Sequence, residues 1–312
     1  MLRHAAVAIA AFMFMAGAAG AAPSDDAFAA YQKGDYKTAL TLMRPLAEKG
    51  DVEAQYKVGA MYANSLGVSQ DHKEAAKWLT LAADKGNVFA IVDLAVLYQN
   101  GQGVAKDYKK AMELFRLGAE KKSSTAEASI AAMYERGLGV SQDYKESARW
   151  YRLAADHGNA SAQYNLGVIY ANGRGLPKDY KQAAQWYRKA ADQGLDSAQL
   201  NLGAMYYSGD GVPKNAVEAL KYFRLSAQQR NGRAQFNLAS IYAAPREGDG
   251  IVQDLARALV WFTAAAASLS GDEAKIASEN FKEVASKMNP IQLRAAQALV
   301  RDCRDGNFKK CD

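Results

Sequence analysis

Residues Ala162–Gly194 read AQYNLGVIYANGRGLPKDYKQAAQWYRKAADQG. Ala162, Leu166, Ile169 and Tyr170 fall at helical spacing and predict a first helix over about 162–171. Gly173-x-Gly175 reads as a turn, because glycine reaches the positive φ that ends a helix without steric cost. Asp179 stands where an N-cap accepts the free N–H groups of a new helix and meets its dipole favourably. The second helix carries Trp186 and Tyr187 and ends in Ala-Ala-Asp ahead of Gly194.

Working outward, each feature recurs every 36 residues, as in Tyr62, Tyr98, Tyr134, Tyr170, Tyr206 and Tyr242. A second such row is Ala54, Ala90, Ala126, Ala162, Ala198 and Ala234. A unit of this size cannot bury its own apolar face and must stack on its neighbours, so the period predicts an all-α solenoid. Only small residues occupy the row Gly59, Ala95, Ala131, Gly167, Gly203 and Ala239, which predicts a helix pressing close there. Asp35, Asp71, Asp107, Asp143, Asp179, Asn215 and the shifted Asp254 form a row of N-caps, and recurrence argues for capping over catalysis. Asp71-x-x-Glu74 and Asp143-x-x-Glu146 read as capping boxes. Trp78, Trp150, Trp186 and Trp261 share one position and read as packing aromatics. The first unit has Ser65 where the others carry the first turn glycine.

These rows resemble Sel1-like repeats, relatives of the tetratricopeptide repeat with a longer turn. The carrying residues are Ala-Gln-x-x-Leu-Gly-x-x-Tyr, Gly-x-Gly-Val/Leu, Asp-Tyr and Ala-x-x-Trp-Tyr-x-x-Ala-Ala, over roughly Phe28 to Leu269. The resemblance implies a right-handed α-solenoid of stacked antiparallel helix pairs. The domain reading is a signal peptide over 1–21, a partial N-terminal repeat over 22–53, six units over 54–270, and C-terminal capping helices with a Cys-containing tail over 271–312. In that cap, Ala277, Phe281, Val284 and Met288 make one helical face. Asn289-Pro290 starts the next helix, with Ile291, Ala295, Ala298 and Leu299 as its expected apolar face.

Arg3 and His4, the apolar run Ala5–Ala16 and Ala19-Gly20-Ala21 have the layout of a cleaved secretory signal. No other apolar run is long enough to span a membrane. The expected location is the bacterial periplasm or the cell exterior. In an exported chain, Cys303 and Cys311 favour a disulfide, with a metal pair or free thiols as alternatives. The formal net charge is +6, but the basic residues are mixed with Asp and Glu. No dense basic run with interleaved aromatics argues for nucleic acid.

A search for catalytic groups yields little. His72 and His157 lie in different repeats at different positions, and no Ser or Cys is marked as a nucleophile. Gly-x-Gly lacks the third glycine and the preceding strand of a dinucleotide loop. No cofactor is expected. One polar row stays open: Lys57, Asp93, Ser129, Asn165, Asn201 and Asn237 on the first helices, which line the concave face of such an array. Asn there either clamps an extended peptide or bonds neighbouring helices within the chain.

The reading is a non-enzymatic, monomeric scaffold that binds a protein or peptide partner. The resemblance implies envelope adaptors, some of which hold a sensor-kinase ectodomain inactive. The alternative is a cell-wall or β-lactam-binding or hydrolysing protein, an association of cysteine-rich Sel1-like proteins. This chain has no cysteine within its repeats.

Overall fold

The computed structural model describes residues 23–306, Phe308 and Cys311. The signal sequence expected over 1–21 lies outside the described residues. Among those described, every regular element is an α-helix. By contacts the chain divides into two units, 1–97 with 101–105, and 98–100 with 106–312.

The first unit contains α1 (Pro23–Gln32), α2 (Tyr36–Glu48), α3 (Val52–Asn64), α4 (His72–Asp84) and most of α5 (Val88–Asn100). α1 packs on α2, α2 on α3 and α3 on α4. Met43, Ala47, Ala54, Val58 and Trp78 form a buried cluster, and Phe89 stacks on Tyr56 at 5.6 Å. The second unit contains α6 (Tyr108–Glu120), α7 (Ser124–Arg136), α8 (Tyr144–Asp156), α9 (Ala160–Asn172), α10 (Tyr180–Asp192) and α11 (Asp196–Ser208). It continues with α12 (Ala216–Gln228), α13 (Gly232–Ala243), α14 (Leu255–Ser268), α15 (Gly271–Ser286) and α16 (Pro290–Asp305). Consecutive helices from α6 to α15 are in contact, and α16 returns to α14. This is the expected α-solenoid of antiparallel helix pairs. α3 starts at Val52 because Asp51 caps it and accepts from Ala54 N at 2.7 Å.

The capping row takes its predicted role in every pair, from Asp35 accepting Thr38 N to Asp254 accepting Arg257 N. The two capping boxes do not close. Their second half needs the cap residue's own N–H, and that group is already used: Asp71 N donates to Tyr62 O and Asp143 N to Tyr134 O, both at 3.0 Å. Glu74 and Glu146 turn instead to Lys77 and Arg149. The box that does close is Asn289 with Gln292, at the start of α16. The Tyr row thus acts through its backbone as well as its ring, since each carbonyl receives the N-cap of the following helix. That bond satisfies a carbonyl in the last turn of the first helix.

The turn glycines divide the work. Gly173 takes φ 71° and ends α9; Gly175 takes φ 73° and meets the start of α8 so closely that an added Cβ would lie 2.3 Å from Tyr144 O. The small-residue row behaves as expected. At Gly167 a Cβ would lie 2.6 Å from the Tyr187 ring, so α9 and α10 are in near-backbone contact.

Junctions between pairs use a buried amide. Gln163 Nε2 donates to Ala155 O at 3.1 Å and Gln199 Nε2 to Ala191 O at 3.2 Å, filling last-turn carbonyls of the preceding helix. Their amide oxygens accept from Gln193 and Gln229. At the equivalent junction the pair is Glu127 and His157.

The C-terminal cap corrects one expectation. Ile291 is 72 % exposed and Ala295 is exposed too. The buried stripe of α16 is instead Ala296 and Cys303, with Leu293, Leu299 and Val300 packed beside them. That stripe wins because it brings Cys303 inward, whereas Ile291 lies in the first turn, beyond the packed surface. Cys303 and Cys311 lie together with Cα atoms 4.6 Å apart, both 1 % exposed, at the separation a disulfide requires.

Candidate partner-binding site

The polar row of first helices splits once its neighbours are known. Lys57 and Asp93 belong to the first unit; Ser129, Asn165, Asn201 and Asn237 belong to the second. Lys57 Nζ lies 3.5 Å from Glu53 and over the rings of Tyr31 and Tyr56. Ser129 Oγ donates to Thr125 O of its own helix at 2.8 Å. Asn165 and Asn201 act on the hydroxyls of Tyr151 and Tyr187, which precede them by 14 residues, and each favours the ionised phenol. Burial pushes the Tyr187 phenol up to about 12, and the Asn201 bond works against that rise. Burial and the neighbouring Glu135 raise Tyr151, again opposed by its Asn. These asparagines therefore face tyrosines of their own chain.

Asn237 differs. Fourteen residues earlier stands Phe223, 2 % exposed and without a hydroxyl. Among the described residues Asn237 has no hydrogen-bond partner. It lines a groove of about 410 Å³, together with Leu200, Asn201, Ala204 and Phe236. Leu269 and Ile276 close the far wall, so the groove lies between the first helices α11 and α13 and the start of the cap. Ile276 is 47 % exposed there. At the rim Arg233 and Glu273 pair at 2.8 Å across α13 and α15, an exposed bridge worth little to stability. An apolar floor with few convergent polar groups has the character of a ligand site. The sequence indicated Asn237 but not the groove, whose wall comes from a cap helix outside the period.

A second row went unread. Arg116, Arg152, Arg188 and Arg224 each donate to the hydroxyl of Tyr134, Tyr170, Tyr206 and Tyr242 in the next first helix. Arg152 also stacks over Trp186 at 5.1 Å. The signal was present as an Arg row at the repeat period, 18 residues before each Tyr. This ladder holds successive helices together.

Stacked helix pairs with an open groove define a helical-repeat protein of the tetratricopeptide-like class. The chain belongs to the Sel1 repeat family, whose repeats match residues 52–87, 88–123, 124–159, 160–195, 196–231 and 232–268. A Sel1 repeat protein from Oxalobacter formigenes is 30 % identical, aligned over 79 % of this chain and 97 % of its own, with a TM-score of 0.66. A protective antigen displaying an SLR fold, present in uropathogenic Escherichia coli strains, is 29 % identical over 93 % of this chain and 73 % of its own, with a TM-score of 0.58. Among curated proteins the chain has no significant match. Sel1 repeat proteins serve in general as protein-interaction scaffolds.

Proposed function

We propose that this protein is a non-enzymatic, monomeric adaptor of the bacterial envelope, exported by its first 21 residues and closed at its tail by a Cys303–Cys311 disulfide. It binds a peptide segment of another envelope protein, such as a sensor-kinase ectodomain, on the first-helix face of the second unit. An apolar side chain of the partner fills the groove between Phe236 and Ile276, and Asn237 bonds the partner's backbone. The observation that carries this reading is the groove itself: an apolar hollow beside the one asparagine of its row whose tyrosine partner is replaced by phenylalanine.

The test is site-specific photocrosslinking in the envelope. A photoreactive residue at Ile276 is expected to trap one protein, identified by mass spectrometry, and Asn237→Lys to abolish the adduct. A probe at Leu225, equally on the surface but on a second helix, is the control. Equal adducts from both positions, or indifference to Asn237→Lys, would remove the groove from the reading.

A further inference from the structure

A cavity of about 290 Å³ opens in the first unit where the α3–α4 turn meets α5. We propose that it is a binding site for a primary ammonium group, with Asp93 as its counter-charge. This site is independent of the groove in the second unit.

Asp93 is half-buried on α5 and has no ion pair or hydrogen bond among the described residues. Burial pushes its carboxyl up to about 6, as befits a carboxylate that the fold leaves without a cation. The nearby Lys57 is engaged by Glu53 and by aromatic faces. Around Asp93 the amide donors of two lining residues are engaged elsewhere. Asn64 Nδ2 donates to Ala60 O at 2.9 Å and Gln70 Nε2 to Ala63 O at 2.8 Å. Both residues line the cavity, and their amide oxygens remain as acceptors. His72 also lines it; Nε2 of its ring faces Gln102 at 3.4 Å and Nδ1 is buried without a partner.

The cavity therefore offers one negative charge and an excess of acceptors. An anion is repelled by Asp93, and a neutral polar ligand leaves the carboxylate uncompensated. An ammonium supplies charge and three N–H donors to acceptors spread over separate elements. A guanidinium can pair bidentately with the Asp93 carboxylate but, being planar, reaches the separate amide oxygens of Asn64 and Gln70 less readily than a tetrahedral ammonium. Leu79, Val96 and Leu97 form the apolar wall, suited to the methylene stem behind the charge. The volume admits an alkylamine or one lysine side chain and excludes a folded segment.

The experiment titrates the mature chain with butylamine, with N-acetyl-lysine methylamide, and with the same lysine derivative acetylated on Nε. The readouts are calorimetry and the NMR shifts of the His72 ring. Both amines are expected to bind in about the millimolar range, and the acetylated compound to leave His72 unmoved. Asp93→Asn is expected to lose binding by about tenfold or more while keeping its circular dichroism, with a thermal midpoint no lower than the parent's. Should Asp93→Asn misfold, Gln102→Ala, expected to weaken binding by about threefold, replaces it. Equal affinity for the two amines assigns the site to free alkylamines. Tighter binding of the lysine derivative assigns it to a lysine of a protein partner; either result supports the site. Equal response to the acetylated compound, unchanged binding by a folded variant, or a silent His72 at about 20 mM amine would overturn it.

Discussion

Nδ1 of His157 lies 2.9 Å from a carboxylate oxygen of Glu127, a side chain only 1 % exposed. At the next two junctions the same positions hold Gln163 with Gln193 and Gln199 with Gln229. A carboxylate accepts only, so the imidazole must donate. His157→Ala leaves a buried acceptor unanswered and is expected to cost about 1–3 kcal/mol in urea unfolding. The double change Glu127→Gln with His157→Gln rebuilds the neighbouring junction and is expected to stay within about 1 kcal/mol of the parent. Loss in the double variant equal to that of His157→Ala would show that the junctions are not interchangeable.

Asp93 gives a pH dependence of unusual sign for a carboxylate. Its pKa is raised to about 6 in the fold, whereas an unfolded Asp ionises near pH 4. Between those values the folded chain holds more protons than the unfolded one, so stability falls as pH rises through this window and is level above it. Asp93→Asn is expected to remove that slope and raise stability at neutral pH by roughly 1–3 kcal/mol. Thermal melts of both proteins across the window check it, and a parallel pair of curves counts against the account.

Gly175 and Gly250 share a position in the repeat and a positive φ, 73° and 69°. Only Gly175 presses on another helix; at Gly250 an added Cβ meets nothing within 4 Å. Alanine at Gly250 is expected to cost about 1 kcal/mol, the left-handed penalty alone. Alanine at Gly175 adds a backbone clash and is expected to cost more than about 3 kcal/mol. Denaturant midpoints of the two variants measure the difference.

Phe223→Tyr places a hydroxyl where Tyr151 and Tyr187 carry theirs, opposite Asn165 and Asn201. The new hydroxyl is expected to engage Asn237, shift its side-chain amide resonances and change stability by less than about 1 kcal/mol. If Asn237 clamps the partner, photocrosslinking from Ile276 falls in the same variant. A fall in stability with the amide resonances unmoved would show that the two positions do not face each other.

The pairing of helices was legible because its signals are local: the αL glycine, the Asp cap and the Tyr row each act within a few residues of themselves. The capping boxes at Asp71 and Asp143 failed because the N–H they need is taken by Tyr62 and Tyr134, residues nine positions earlier. The apolar face of α16 was misread because the period ends before it, so nothing but packing decides that Cys303 rather than Ile291 turns inward. Asn237 was visible as a row member. Its difference from Asn165 and Asn201 lay in Phe223, and its groove needed α15, which no repeat logic positions.

Tyr242 and Gly250 are eight residues apart where Tyr62 and Gly67 are five apart, and these three extra residues before α14 change the kind of fastening at the last pair. Where Gly175 and Gly211 hold the start of the preceding second helix by direct contact, Gly250 does not. Lys214, one residue ahead of the Asn215 cap, instead pairs with the buried Asp249 at 2.9 Å, and Arg246 lies 4.2 Å over the Tyr207 ring. Contact between neutral atoms is indifferent to dissolved ions, whereas a half-exposed charge pair is screened over about 8 Å at physiological ionic strength. Electrolyte should therefore loosen this turn before the glycine-held turns of the second unit, making ionic strength a selective handle on the last repeat.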